Sequence, residues 1–287
     1  MILPVSTVTG AASTGNRVAA RTVTNSTAVT IGRIGFAARG AVYIMVGWLA
    51  LRAAVGIGAA ATDKQGAIEA IAQQPQGVIL LAVVAGGLVA YTGWSLVRAI
   101  FDPERRGQDT GAVVARVGYA VAGLSYAGLA VAAANLARGS GTAAKSSDAS
   151  TQDWTARLLS APFGRPLVIA LGGAFIAVGT MEFVKAYKAS FREDLGLGDL
   201  APELEHWIVR VGRAGLVARG VVFGLIGLFL IQASRHDDAG QAVGLGGALQ
   251  KLAEQPYGAI LLGVVAAGLF MYGFFSLVEA RYRRLKR

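Results

Sequence analysis

Apolar positions fall in six long blocks, near 34–55, 76–99, 115–137, 164–187, 212–233 and 257–280, with short polar segments between them. Three blocks lie in runs without any charge, 74–97, 117–137 and 255–278, of 24, 21 and 24 residues. A hydrocarbon core about 30 Å thick needs roughly 20 helical residues, so each run is long enough to cross a membrane alone. The other three blocks are cleaner in the middle than at the ends, where Arg39, Arg52, Glu182 and Arg219 intrude. The pattern predicts six transmembrane helices.

The blocks are not independent. The first, third and fifth open on variants of one phrase, a basic residue at Arg33, Arg116 or Arg213 followed at fixed offsets by glycines and an aromatic. Glycine stands two residues on (Gly35, Gly118, Gly215) and seven on (Gly40, Gly123, Gly220), the aromatic ten on (Tyr43, Tyr126, Phe223). Position fourteen is Gly47, Ala130 or Gly227. Offsets seven and fourteen share one helix face. A stripe of small residues lets backbones approach in lipid, so Gly35, Gly40, Gly47, Gly118, Gly123, Gly215, Gly220 and Gly227 are expected to be close-packing positions facing another helix.

The even blocks also align. Each follows a proline, Pro75, Pro162 or Pro256, itself preceded by a short stretch with apolar residues at three- and four-residue spacing. These stretches are expected to be amphipathic helices of about two turns lying in the outer membrane interface. The repeat is therefore a whole helical hairpin, and the divisions are 31–102, 112–190 and 208–287. Two spans per repeat make all three hairpins enter the membrane the same way round. The expected fold is an all-α integral membrane bundle of six helices from three tandem hairpins, with a pseudo-threefold axis along the membrane normal.

Composition sharpens this picture. The chain is 54% hydrophobic and 15% charged, and its net charge is +10. The basic residues are distributed unevenly: 19 of the 27 Lys and Arg lie in the tails and the loops on their side, 8 in the alternate loops. That is the positive-inside pattern, which puts both termini in the cytoplasm and explains the basic excess without nucleic acid. Anionic lipid at the cytoplasmic face is the partner such charge attracts. Residues 1–30 hold twelve Ser, Thr or Asn, with Arg17 and Arg21 as their charges, and are expected to form a disordered cytoplasmic tail. They lack the apolar core of a cleaved signal peptide. The connector Ser190–Glu205 is acidic and expected to be a solvated linker.

The paired signatures, Arg33-x-Gly35-x-x-x-Arg39-Gly40-x-x-Tyr43 and the Gly66-Ala-Ile block ending in Gln74-Pro75-x-Gly77, resemble the bacterial membrane proteins catalogued as domain of unknown function 1206. The resemblance covers about residues 31–286. It implies an integral protein of the bacterial plasma (inner) membrane with three two-helix repeats, and it brings no activity with it. The second repeat departs from the pattern, with Ala122 where the others have Arg39 and Arg219.

Candidate chemistry is sparse. There is no cysteine, and the two histidines, His206 and His236, have no partner at metal-ligand spacing. No metal or cofactor is expected, and no arrangement of nucleophile, base or paired carboxylates points to an enzyme. What remains is an intramembrane charge cluster, Arg39, Glu182 and Arg219. Arg39 and Arg219 lie about 9 Å deeper than their helix-start bases. The repeat that gains a carboxylate, Glu182, is the one that lacks the deep arginine. Glu182 is therefore expected either to offset Arg39 or Arg219 across repeats or to pair locally with Lys185. Two functions stay open: a packing or accessory component of another membrane complex, or a channel or small-solute transporter with its pathway along the pseudo-threefold axis.

Overall fold

The computed structural model describes residues 9–57, 63–101, 110–139, 146–197 and 200–283. Ten α-helices follow in order: α1 Thr9–Ala54, α2 Lys64–Ala72, α3 Gly77–Phe101, α4 Thr110–Ala137, α5 Ser147–Leu159, α6 Gly164–Lys188, α7 Phe191–Asp194, α8 Pro202–His236, α9 Leu245–Ala253 and α10 Gly258–Tyr282. Six of them, α1, α3, α4, α6, α8 and α10, are long and apolar enough to cross a membrane. The stretch expected to be a disordered tail differs from Thr9 onward, where α1 already runs. Extending a helix that the first span has nucleated fixes one residue per added bond, far cheaper than starting one. Residues 1–8 of that tail lie outside the described residues.

The long helices pack by one rule. The second helix of each repeat lies along the first helix of the next, giving the pairs α3–α4, α6–α8 and α10–α1. Glycines set these contacts. A Cβ on Gly40 would stand 2.8 Å from the Gly273 carbonyl, and one on Gly47 2.5 Å from the Phe270 nitrogen, so α1 touches α10 backbone to backbone. On α8, Gly227 does the same against the Gly172 carbonyl (2.5 Å) and Gly220 against that of Gly179 (3.0 Å). Gly123 is looser, with Leu96 as its nearest neighbour at 3.2 Å. Without a hydrophobic force between helices in lipid, such close approach supplies the dispersion contacts that hold them together.

The glycine at offset two works inside the hairpin. A Cβ on Gly35 would be 2.6 Å from the Cα of Tyr91, and one on Gly215 2.6 Å from that of Tyr272, which closes α1 on α3 and α8 on α10. Gly118 breaks the expectation: its Cβ would meet nothing within 4 Å. Among the described residues α4 and α6 share no packed interface, so the second hairpin is open and the helices depart there from threefold repetition. The reason is in the side chains. Gly87 fits against Ala38, and Gly268 against Ala218, so closely that a Cβ on either glycine would collide. The second repeat carries Ala174 where those glycines stand, and Val178 where Tyr91 and Tyr272 stand.

The short helices α2, α5 and α9 precede the three prolines, as expected, and α2 packs into the bundle. Its Ala67, Ile68 and Ile71 are buried, and the ammonium of Lys64 sits 4.4 Å from the centre of the Tyr126 ring. Tyr126 lies eleven residues before the end of α4, so the Lys64 ammonium reaches about 16 Å below that end. Burying a helix start demands caps for its free amides. Asp63 serves α2, accepting from the Gly66 amide at 2.9 Å. Gly244, the equivalent residue before α9, has no side chain to offer. Asp148 of α5 takes its place and accepts from the Gly244 and Gly247 amides at 2.6 and 2.9 Å.

Candidate functional site: paired intramembrane charges around four tyrosines

Arg39 is buried on α1, facing both neighbours of that helix. Its Nη1 donates to the Tyr91 hydroxyl of α3 at 3.0 Å, and its Nη2 is ion-paired with Glu279 of α10. Three aromatic rings close round the guanidinium, Phe36, Tyr91 and Tyr272, at 4.8, 5.2 and 5.3 Å from their centroids. Arg219 repeats the arrangement in the third unit. Its Nη1 donates to the Tyr272 hydroxyl at 2.7 Å, with the Tyr272 and Phe223 rings at 4.5 and 5.1 Å. A buried arginine surrounded by ring faces and a carboxylate keeps its charge at moderate desolvation cost.

Glu182 faces Arg219 across the α6–α8 interface at 3.6 Å and Lys185 along its own helix at 3.7 Å, so both expected partners are there. Neither contact is a hydrogen bond, and its Oε2 is buried without a partner. Arg39 belongs to a different carboxylate. Counted from the three prolines, Glu279 takes the position of Arg98 and Lys185, a lone acid among bases at the end of a span. In the fold it is buried and shared between Arg39 and Arg283. The interface that lacks a deep arginine, α3–α4, uses the other chemistry: Arg98 donates to the Tyr119 hydroxyl at 2.6 Å and stacks on its ring at 3.8 Å.

Above these charges the interior is filled by Tyr43, Tyr91, Tyr126 and Tyr272, all buried and drawn from all three repeats. Tyr43 meets Tyr272 edge to face at 4.8 Å between centroids, and Tyr91 meets Tyr126 at 4.6 Å. Lys64 caps the group over Tyr126 and Tyr43. The site thus joins Arg39, Glu279, Arg219 and Glu182 through tyrosine hydroxyls and rings.

The same repeated unit is what comparison with known proteins finds. The model of a family described as Domain of Unknown Function (DUF1206) matches three times, over residues 34–102, 117–189 and 214–283. The chain belongs to this family. A relative from Bacillus subtilis (strain 168), described as Uncharacterized protein YxxB, is 32% identical over 254 residues, which cover 88% of this chain and 90% of that protein. No solved structure matches.

The remaining candidates are absorbed by the fold. At the end of α8 and in the loop after it, His236 Nδ1 is 2.8 Å from Gln241 Oε1, Asp237 accepts from Arg165 at 2.7 Å, and Asp238 accepts from the Gly240 amide at 2.9 Å. The hydrogen bond from Arg165 holds the Asp237 carboxyl below the usual carboxylate range. Among the described residues no group of three or more His, Asp or Glu could hold a metal ion. The acidic connector after α6 is not a solvated linker. Phe191, Leu195 and Leu197 are buried, the Gly196 amide donates to the Tyr282 carbonyl at 2.8 Å, and Asp194 and Glu205 pair with Arg283 and Arg192. Its apolar residues, spaced between the acids, were the signal that charge counting hides.

Proposed function

We propose that this protein is a packing or accessory component that associates with another complex in the bacterial plasma membrane and carries no enzymatic activity of its own. In this reading the three hairpins are set around an axis along the membrane normal, both termini face the cytoplasm, and anionic lipid meets the basic loops on that side. The observation that carries it is the use of the intramembrane charges. Arg39 and Arg219 are each held between helices, against Glu279 and Glu182, and tyrosine rings stack where a hydrated route would need room. A pathway for ions wants polar groups at successive depths facing water, and these face one another.

The exposed aromatics support a position in the bilayer. Trp154, Phe163 and Tyr257 lie toward the starts of α6 and α10, and Tyr187 and Trp207 toward the opposite end. Phe163 and Tyr187 are 24 residues apart, about 36 Å of helix, which brackets a hydrocarbon core. The test is to purify the tagged protein in mild detergent and identify what accompanies it, beside a flux assay in proteoliposomes over common monovalent ions. A stoichiometric membrane-protein partner and no flux is the expected result. Flux that disappears in Glu182→Gln, from a protein that melts like its parent, overturns the reading in favour of a channel.

A further inference from the structure

The open second hairpin can be read against its closed sisters, position by position. Val42 and Val222 are buried, whereas Ser125, their counterpart on α4, is exposed. On α6 the same reversal recurs. Val84 and Val265 are buried and Leu171 is 40% exposed; Tyr91 and Tyr272 are buried and Val178 is 36% exposed; Gly87 and Gly268 are buried and Ala174 is exposed. Arg98 and Glu279 are buried, while the side chain of Lys185 is 52% exposed. These residues therefore line a slot between α4 and α6 that the other hairpins do not have.

The slot has a chemistry of its own. Gly118, Leu171, Ala174 and Val178 offer no polar side chain and Ser125 a single hydroxyl, so water gains little by filling it within a bilayer. At its end stand Lys185 and, three residues on, the exposed Lys188. Glu182 cannot neutralise them, because it is shared with Arg219. From Lys185 to Leu171 is fourteen residues, about 21 Å of helix, against about 15 Å for the hydrocarbon of one leaflet. We propose that one acyl chain of an anionic phospholipid occupies the α4–α6 slot, with its phosphate on Lys185 and Lys188. A second copy docked through the same face would fill the apolar length but set its own Lys185 and Lys188 against these, like charge to like. The lipid supplies both the apolar length and the negative charge. The site does not depend on the accessory role, and its test is independent of any partner.

The chain has no cysteine, so a single Ser125→Cys can carry a fluorophore in the slot, with Leu124→Cys as its lipid-facing neighbour. Each labelled protein is reconstituted with phospholipids brominated on the acyl chain, phosphatidylglycerol in one set and phosphatidylcholine in the other. Quenching at Ser125→Cys is expected to favour phosphatidylglycerol about fivefold in apparent affinity, the effect of roughly one lysine beside an anionic headgroup. Leu124→Cys is expected to show no preference. Lys185→Gln with Lys188→Gln should bring the Ser125→Cys preference to about one, with parent-like elution and melting as the check on folding. If that variant does not fold, the contrast between the two labels in the otherwise unchanged protein still decides. Equal affinity for both lipids at Ser125→Cys overturns the proposal. So does a Ser125→Cys label shielded from both lipids in a protein that cross-links to a second copy, which would assign the slot to self-association.

Discussion

Glu279→Gln tests whether the buried charges hold the bundle together. Both side chains of the Arg39–Glu279 pair are 9% exposed, so the change leaves a guanidinium largely out of reach of water. Breaking such a pair from one side costs on the order of 3–5 kcal/mol. Arg39 keeps its bond to the Tyr91 hydroxyl and the rings of Phe36, Tyr91 and Tyr272, which argues for the lower end, ~3 kcal/mol. By the scaling of soluble chains of 150–250 residues, that is a fall in melting temperature of roughly 6–12 °C. Glu182→Gln should cost less, because Glu182 stands 3.6 Å from Arg219 without a hydrogen bond. Arg39→Met added to Glu279→Gln should recover part of the loss, since the two residues act on one contact. Melting curves of the parent, Glu279→Gln, Arg39→Met and the double variant in one detergent close the cycle. If Glu279→Gln melts within about 2 °C of the parent, or the two effects simply add, the pair is not what secures α1 to α10.

Gly40→Leu and Gly220→Leu should each overpack a backbone contact and cost on the order of 1–3 kcal/mol, whereas Gly118→Leu, facing open space, should leave melting close to the parent. Equal losses at all three would refute the reading of the open hairpin. Single cysteines at Ser147 and Ser26 should label differently from outside intact cells, Ser147 first; labelling of Ser26 alone would reverse the orientation. Asp148→Ala removes the acceptor for two amides at the start of α9 and should destabilise by about 1 kcal/mol, while an unchanged melt would mean that the cap is made otherwise. Asp237 titrates below its ordinary value in the folded protein, so its pair with Arg165 contributes above that range and is lost as the medium is acidified through it. The melting difference between parent and Asp237→Asn should accordingly be present at neutral pH and close below pH ~4; a difference independent of pH would remove Asp237 from that account.

Six spans, three hairpins and the glycine contacts of α1 and α8 were legible in the chain because each depends on a local period. Twenty apolar residues make a span whatever lies beside them, and Gly40 and Gly47 share a face by helix geometry alone. Even the open hairpin was written in Ala122, Ala174 and Val178, although as single residues they say only that the repeat has diverged. Partner choice is another matter. Glu279 lies 240 positions from Arg39, and Asp148 96 from the amide it caps. Nothing periodic connects such residues. They meet because α10 packs on α1 and because α5 and α9 start side by side, and those rotations and depths depend on every contact at once. The sequence by itself determined which elements form and which faces are small. Only the tertiary structure decided which carboxylate serves which arginine, how deep α2 enters the bundle, and that α4 and α6 stand apart, since each of these depends on how faces from distant segments fit.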